Sequence, residues 1–143
     1  MVNQTPLVAG VNDDPEVLTE LFSKLSYIGV PPYYVFLCRP TLGNETYSVS
    51  VERGYEIFEK SRTLCSGLAK RARLVMSHES GKIEVVGMNE DQIFFKYARA
   101  AENENNARFM AFYRNPKACW FDDYKEASDE FSLFSETTKA GCL

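Results

Sequence analysis

Pro31-Pro32 is followed by the run Tyr33-Tyr34-Val35-Phe36-Leu37-Cys38, and this run constrains the fold more than any other segment. It is continuously apolar, aromatic and β-branched, and shorter than an ordinary helix. Such a run reads as a strand buried on both faces, as strands of parallel sheets are. Parallel strands need long crossovers, and the flanking segments supply them. Upstream, Asp14 offers an N-cap and Pro15 a first helical residue. Val17, Leu18, Leu21, Leu25 and Ile28 follow at helical spacing, and Gly29 stands at the expected helix end. Before this helix, Thr5 to Gly10 reads as a short buried strand. Downstream, Ser50 caps an expected second helix whose stripe is Val51, Tyr55, Phe58, Arg62 and Cys65, with Gly67 closing it. Leu74-Val75-Met76 reads as a third strand. Residues 1–78 are therefore expected to form an α/β unit of the order β-α-β-α-β.

The pattern then changes. Ser77-His78-Glu79-Ser80-Gly81 is turn chemistry. Loosely alternating segments follow at Lys82–Val86, Gln92–Tyr97 and Arg108–Arg114, with Ala118–Phe121 as an expected last strand. Residues 79–124 read as an antiparallel β meander. Residues 125–143 read as a polar, flexible tail.

Composition narrows the function classes. The chain has 143 residues, 45% of them hydrophobic, and a net charge of −4. That suits one globular domain and gives no basic footprint for nucleic acid. No apolar run approaches the ~18 residues of a membrane span. The first residues lack the regions of a signal peptide, so a cytoplasmic location with reduced thiols is the expectation. Cys38, Cys65, Cys119 and Cys142 include no CxxC pair, and His78 is the sole histidine. No metal site is expected within this chain.

Functional groups of α/β folds gather past the carboxyl ends of parallel strands. Three such corners are Ala9–Asn12, Cys38–Thr41 and Ser77–Lys82. Neighbouring strands would turn Arg39 and the His78–Lys82 segment toward one crevice. Arg39 would supply a fork-shaped cation for a carboxylate or phosphate. Lys82, after Ser80-Gly81, would supply an amine nucleophile. Each also has a purely structural reading. Arg39 can pair with a surface acid, His78 can belong to a turn, and Ser80-Gly81-Lys82 can be a hairpin. Ser77 lacks a GxSxG setting, which argues against a hydrolase triad.

Several segments together resemble one family. Asn3-Gln4-Thr5-Pro6-Leu7-Val8-Ala9-Gly10-Val11-Asn12-Asp13 resembles the "NQ…LL-x-GVND" segment of the lysine 2,3-aminomutase family. Pro32–Cys38 resembles its "PYY…C" strand, and Leu42-Gly43 the "LG" that follows. Gly54–Ile57 and Ser66–Ala69 also fit, and the match is collinear from about residue 3 to residue 97. Trp120–Tyr124 looks like a tail found in one branch of these proteins.

The resemblance implies the carboxy-terminal part of a partial (β/α) barrel from a radical S-adenosylmethionine isomerase dependent on pyridoxal phosphate. The CxxxCxxC motif for a [4Fe–4S] cluster, which works with S-adenosylmethionine, would lie in a missing amino-terminal half. That half is an expected partner, and exposed strand edges make self-association another expectation. Gly81-Lys82 matches the family's cofactor lysine and its glycine turn, which implies cofactor contacts from Lys82, Gly81 and Ser80. Arg39, Ser77 and His78 fall where lysine-specific members carry two aspartates for the substrate. Arg39 would repel a lysine ammonium and favour an acidic amino-acid substrate. An alternative is a stand-alone binding or interaction module that keeps the scaffold without the chemistry.

Overall fold

The computed structural model describes residues 1–126. Of the expected polar tail, residues 125–143, the first two belong to a helix and the rest lie outside the described residues. Six strands form one sheet: β1 (Asn3–Leu7), β2 (Pro32–Leu37), β3 (Arg73–His78), β4 (Gly81–Met88), β5 (Gln92–Ala100) and β6 (Phe109–Tyr113). Their order in the sheet is their order in the chain. β1, β2 and β3 are parallel, whereas β3 through β6 are antiparallel. Helix α1 (Pro15–Tyr27) joins the first two strands, α2 (Val51–Leu64) the next two, and α3 (Phe121–Glu126) follows β6. The mixed α/β class and the antiparallel extension both match the sequence reading.

α1 begins and ends where its punctuation says. The Asp14 carboxylate accepts from the backbone N–H of Glu16 at 2.7 Å and of Val17 at 3.3 Å. At the other end Gly29 has φ +78°, and the N–H groups of Gly29 and Val30 donate to Ser26 and Leu25. This double closure satisfies carbonyls that a helix end leaves orphaned.

α2 departs from expectation in two respects. It ends at Leu64, ahead of Gly67, which instead begins a 3-10 turn over Gly67–Lys70. Its buried face carries Val51, Glu52, Gly54, Ile57, Phe58 and Ser61, whereas Arg62 turns outward to Glu59. The reason is close packing at Gly54. A Cβ there would lie 2.7 Å from Leu37 Cδ2 and 3.3 Å from Leu7 Cδ2. The helix rolls to bring that glycine against the sheet, and a carboxylate is buried as a result. Glu52 accepts from Arg114 Nη2 at 3.1 Å and from the Asn115 N–H at 2.8 Å, tying α2 to the exit of β6.

Two strand boundaries are corrected. β1 occupies Asn3–Leu7, and the segment after it is a turn held by side chains. Asn12 accepts from the Val8 N–H at 2.7 Å and donates to the Pro6 carbonyl at 2.8 Å, while Asp13 accepts from the Gly10 N–H at 2.9 Å. The expected strand at Ala118–Phe121 is a turn that leads into α3. Asp123 reaches back to accept from the N–H groups of Cys119 and Trp120, at 2.8 and 3.1 Å. A carboxylate in the first turn that satisfies orphan donors outweighs the β-propensity of Trp120-Phe121.

One face of the sheet holds the core. Leu7, Val35, Leu37, Leu74, Met76, Ile83, Val85 and Phe95 are buried against Leu18 and Phe22 of α1 and Ile57 and Phe58 of α2. Phe95, Phe112, Phe121 and Tyr124 pack in edge-to-face and tilted pairs, with centroids 5.2–6.2 Å apart, and dock α3 on the same side. Alternation sends Tyr34, Phe36, Ser77, Lys82, Glu84 and Phe94 to the opposite face. None of these joins the buried cluster.

Candidate functional site

The β3–β4 hairpin positions most of the candidate residues. Only Glu79 and Ser80 lie between the paired residues His78 and Gly81. Gly81 has φ +136°, and a Cβ there would collide with the Arg99 carbonyl oxygen and lie 2.7 Å from Ala100 Cα. Only glycine lets β5 pass this close.

The next residue, Lys82, pairs with Ser77 in register and projects from the bare face. Its amine reaches across β3 to β2. Nζ lies 4.3 Å from the Tyr34 ring centroid and 5.4 Å from that of Phe36. Aromatic faces attract an ammonium in this arrangement. Ser77, His78, Gly81 and Lys82 line one open hollow of about 280 Å³, together with Arg99, Ala100 and Ala101.

His78 and Ser80 face the other way and are engaged with each other. His78 Nδ1 lies 2.7 Å from Ser80 Oγ and accepts from the Ser80 N–H at 3.0 Å. Ser80 Oγ lies 2.9 Å from the Tyr97 hydroxyl. On its far side, His78 Nε2 lies 2.9 Å from Asp122 Oδ1, and the histidine side chain is only 4% exposed. The Nδ1 lone pair therefore serves the hairpin, and Nε2–H donates to Asp122.

Arg39 lines a different hollow, of about 420 Å³, with Pro40, Cys119, Trp120, Asp122 and Asp123. Its guanidinium makes no hydrogen bond or ion pair with the described residues. The structure thus gathers Ser77, His78, Gly81 and Lys82 in one place and sets Arg39 apart. The Asp122–His78 bond joins the two hollows, because each residue lines one of them. Burial holds the thiols of Cys38 and Cys119 above their usual pKa, and Asp123 adds to the effect at Cys119. Both are poor nucleophiles at neutral pH.

Sequence reasoning missed Arg99, Tyr97, Trp120 and Asp122. Asp122 carried a signal, since paired acids after a bulky run mark a helix start. Arg99 carried none, because its position depends on an irregularity in the pairing of β4 with β5. Among the described residues no group of three His, Cys, Asp or Glu is placed to hold a metal, and no helix is long and apolar enough to cross a membrane.

A sheet with helices on one face, and a lysine beside a glycine hairpin on the other, defines an α/β scaffold with its candidate site on the bare face. The chain is 55% identical over 131 residues to an Aquifex aeolicus protein named "Putative L-lysine 2,3-aminomutase", covering 92% of this chain and 35% of that protein. It is 45% identical over 65 residues to the L-lysine 2,3-aminomutase of Clostridium subterminale, covering 46% of this chain and 16% of that one. It is also 35% identical over 79 residues to the glutamate 2,3-aminomutase of Clostridioides difficile, covering 55% and 19%. The chain belongs to the lysine 2,3-aminomutase family. It spans about a third or less of the length of these curated relatives. No protein-family model matches it.

Proposed function

We propose that this chain supplies the pyridoxal phosphate lysine, Lys82, and substrate side-chain contacts to an amino-acid 2,3-aminomutase-like isomerase of the radical S-adenosylmethionine type. One observation carries the reading. Lys82 projects from the face of the sheet that no described helix covers, next to a glycine hairpin, with aromatic rings beneath its amine. Helices on one face and polar groups on the other are what a segment of a (β/α) barrel presents, and the free edge of β1 is where further strands would add. The donor set suits the cofactor, because an amine, a guanidinium and a hydroxyl from Lys82, Arg99 and Ser77 line one hollow. Bound pyridoxal phosphate would hold the substrate amino group and stabilise charge on the adjoining carbons. The [4Fe–4S] cluster and S-adenosylmethionine would be held by a part of the protein carrying CxxxCxxC, which this sequence lacks.

For the substrate, Arg39 is the informative residue. Arg39, without a hydrogen-bond or ion-pair partner among the described residues, stands where the resemblance puts the family's side-chain subsite, and a cation there would disfavour lysine and favour an acidic amino acid. Ser77 stays open to a substrate polar group, whereas His78, engaged at both ring nitrogens, holds the hairpin in place. The relatives include L-lysine 2,3-aminomutases as well as a glutamate 2,3-aminomutase, so the choice rests on Arg39. A non-catalytic module is the second reading, and Gly81 favours it, since the approach of β5 explains that glycine without any ligand.

The test is chemical. The chain is incubated with pyridoxal phosphate, reduced with borohydride and mapped by peptide mass. Label at Lys82, lost in Lys82→Ala, is the expected result. Equal labelling of Lys82→Ala would overturn the assignment. In the whole enzyme, turnover of lysine but not of glutamate would overturn the substrate class.

A further inference from the structure

The ladder between β4 and β5 slips between Lys82 and Ile83. Lys82 lies opposite Arg99 and Ile83 opposite Tyr97, so Ala98 has no partner across the ladder. Such a bulge re-aims the side chain that follows it. Tyr97 is buried on the helix-covered side, and strict alternation would send Arg99 there as well. The extra residue instead sets Arg99 beside Lys82, lining the same hollow.

Two cations therefore stand directly opposite each other across an antiparallel pair, an arrangement that destabilises a sheet. Among the described residues neither has a carboxylate partner, and no acid lines the hollow. Glu84, the next residue on the face of Lys82, lies opposite Lys96. The Lys82 amine leans away from Arg99 toward the β2 rings, and this leaves the space between them open. Ser77, directly across from Lys82 on β3, adds a hydroxyl to the same hollow. An opposed pair of cations with a hydroxyl and no acid is complementary to an anion with several oxygens.

We propose that Arg99 and Ser77, beside Lys82, form a subsite for a phosphate-class dianion: a phosphomonoester or free phosphate. Arg99 offers two parallel N–H groups to two oxygens, Ser77 donates a third hydrogen bond, and Lys82 contributes charge. The inference deepens the reading of Lys82, and rests on it only for identifying the phosphomonoester as the cofactor. In pyridoxal phosphate the aldehyde and the phosphate arm sit on adjacent ring carbons. A guanidinium adjacent to the amine thus suits that molecule.

The experiment uses the full chain and inorganic phosphate at matched ionic strength, followed by two-dimensional NMR of the backbone amides. Saturable shifts at Gly81, Lys82, Arg99 and Ala100 are expected. Arg99→Gln should weaken phosphate binding about tenfold, as loss of charge-assisted bonds does, while Arg99→Lys recovers part of it and Arg53→Gln, an exposed position of α2 on the other side of the sheet, leaves it intact. A second arm separates the two sources. Wild type should prefer pyridoxal phosphate to pyridoxal about tenfold, and Arg99→Gln should erase that preference. Absence of saturable shifts in the folded chain, or unchanged affinity in Arg99→Gln, overturns the subsite. Phosphate binding with borohydride label absent from Lys82 supports the subsite and sinks only the cofactor reading.

Discussion

Lys82 and Tyr34 meet across an intervening strand, with Nζ 4.3 Å from the ring centroid. The amine belongs to β4 and the ring to β2, so their contact spans the seam where the sheet changes from parallel to antiparallel. Tyr34 is thus a cradle for the amine as well as part of a strand. Replacing it tests that role. Tyr34→Leu should remove about 0.5–1 kcal/mol of attraction. Labelling of Lys82 by an amine reagent, read by mass spectrometry, should then run about two- to fivefold faster. An unchanged rate would show that the ring leaves the amine's freedom unaffected.

Gly81 is the least replaceable residue of the hairpin. Gly81→Ala forces an unfavourable φ and a collision with the backbone of β5. A cost of about 2 kcal/mol or more is expected. Urea denaturation followed by circular dichroism measures it, and a loss below half of that would mean that β5 yields easily.

Glu52 is buried and serves Arg114 and the Asn115 N–H together. Glu52→Leu leaves a half-buried guanidinium and an amide without their acceptor and should cost about 2–3 kcal/mol. Adding Arg114→Met should return part of that loss, because the uncompensated charge goes with it. A double-mutant cycle in urea reads the coupling directly.

Tyr124 carries a fully buried hydroxyl with no partner among the described residues. Burial first, and then the Glu52 carboxylate, push its pKa well above the ordinary tyrosine value. A raised pKa in the folded state contributes stability below the unfolded value and loses it as pH rises beyond. Tyr124→Phe should therefore stabilise the chain by about 1 kcal/mol at pH 7. Its advantage should grow above about pH 10, where unfolded tyrosine ionises. Urea midpoints at neutral and alkaline pH test both parts, and a destabilised variant would reveal a partner for the hydroxyl.

What could be read from the sequence was what local chemistry dictates. Asp14-Pro15 and Gly29 mark α1 because capping needs only neighbours in the chain. The Tyr33–Cys38 run marks β2 for the same reason. The Glu79-Ser80 turn, with Lys82 just beyond it, was legible from its glycine and serine. The site's remaining parts depend on tertiary register. Arg99 reaches Lys82 only through an unpaired Ala98. Asp122 reaches His78 only because Asp123 folds α3 back over the sheet. Arg39 was expected beside Lys82 on the strength of adjacent strand ends, yet it lines another hollow, because Pro40, Trp120 and the start of α3 build a separate wall around it. Glu52 shows the same limit from another side. A carboxylate on a helix reads as solvent-facing until a partner 62 residues away is brought to it.

Each strand of this sheet pairs with the strand that precedes it in the chain. No strand therefore needs a partner beyond its neighbour in chain order, and the ladder can grow in the direction of synthesis, one rung after another. The rigid hairpin that carries Lys82 forms in the middle of that progression. It has a single parallel neighbour, β2, which precedes it in the chain, and the aromatic cap of α3 that seals the side behind it follows later in the chain.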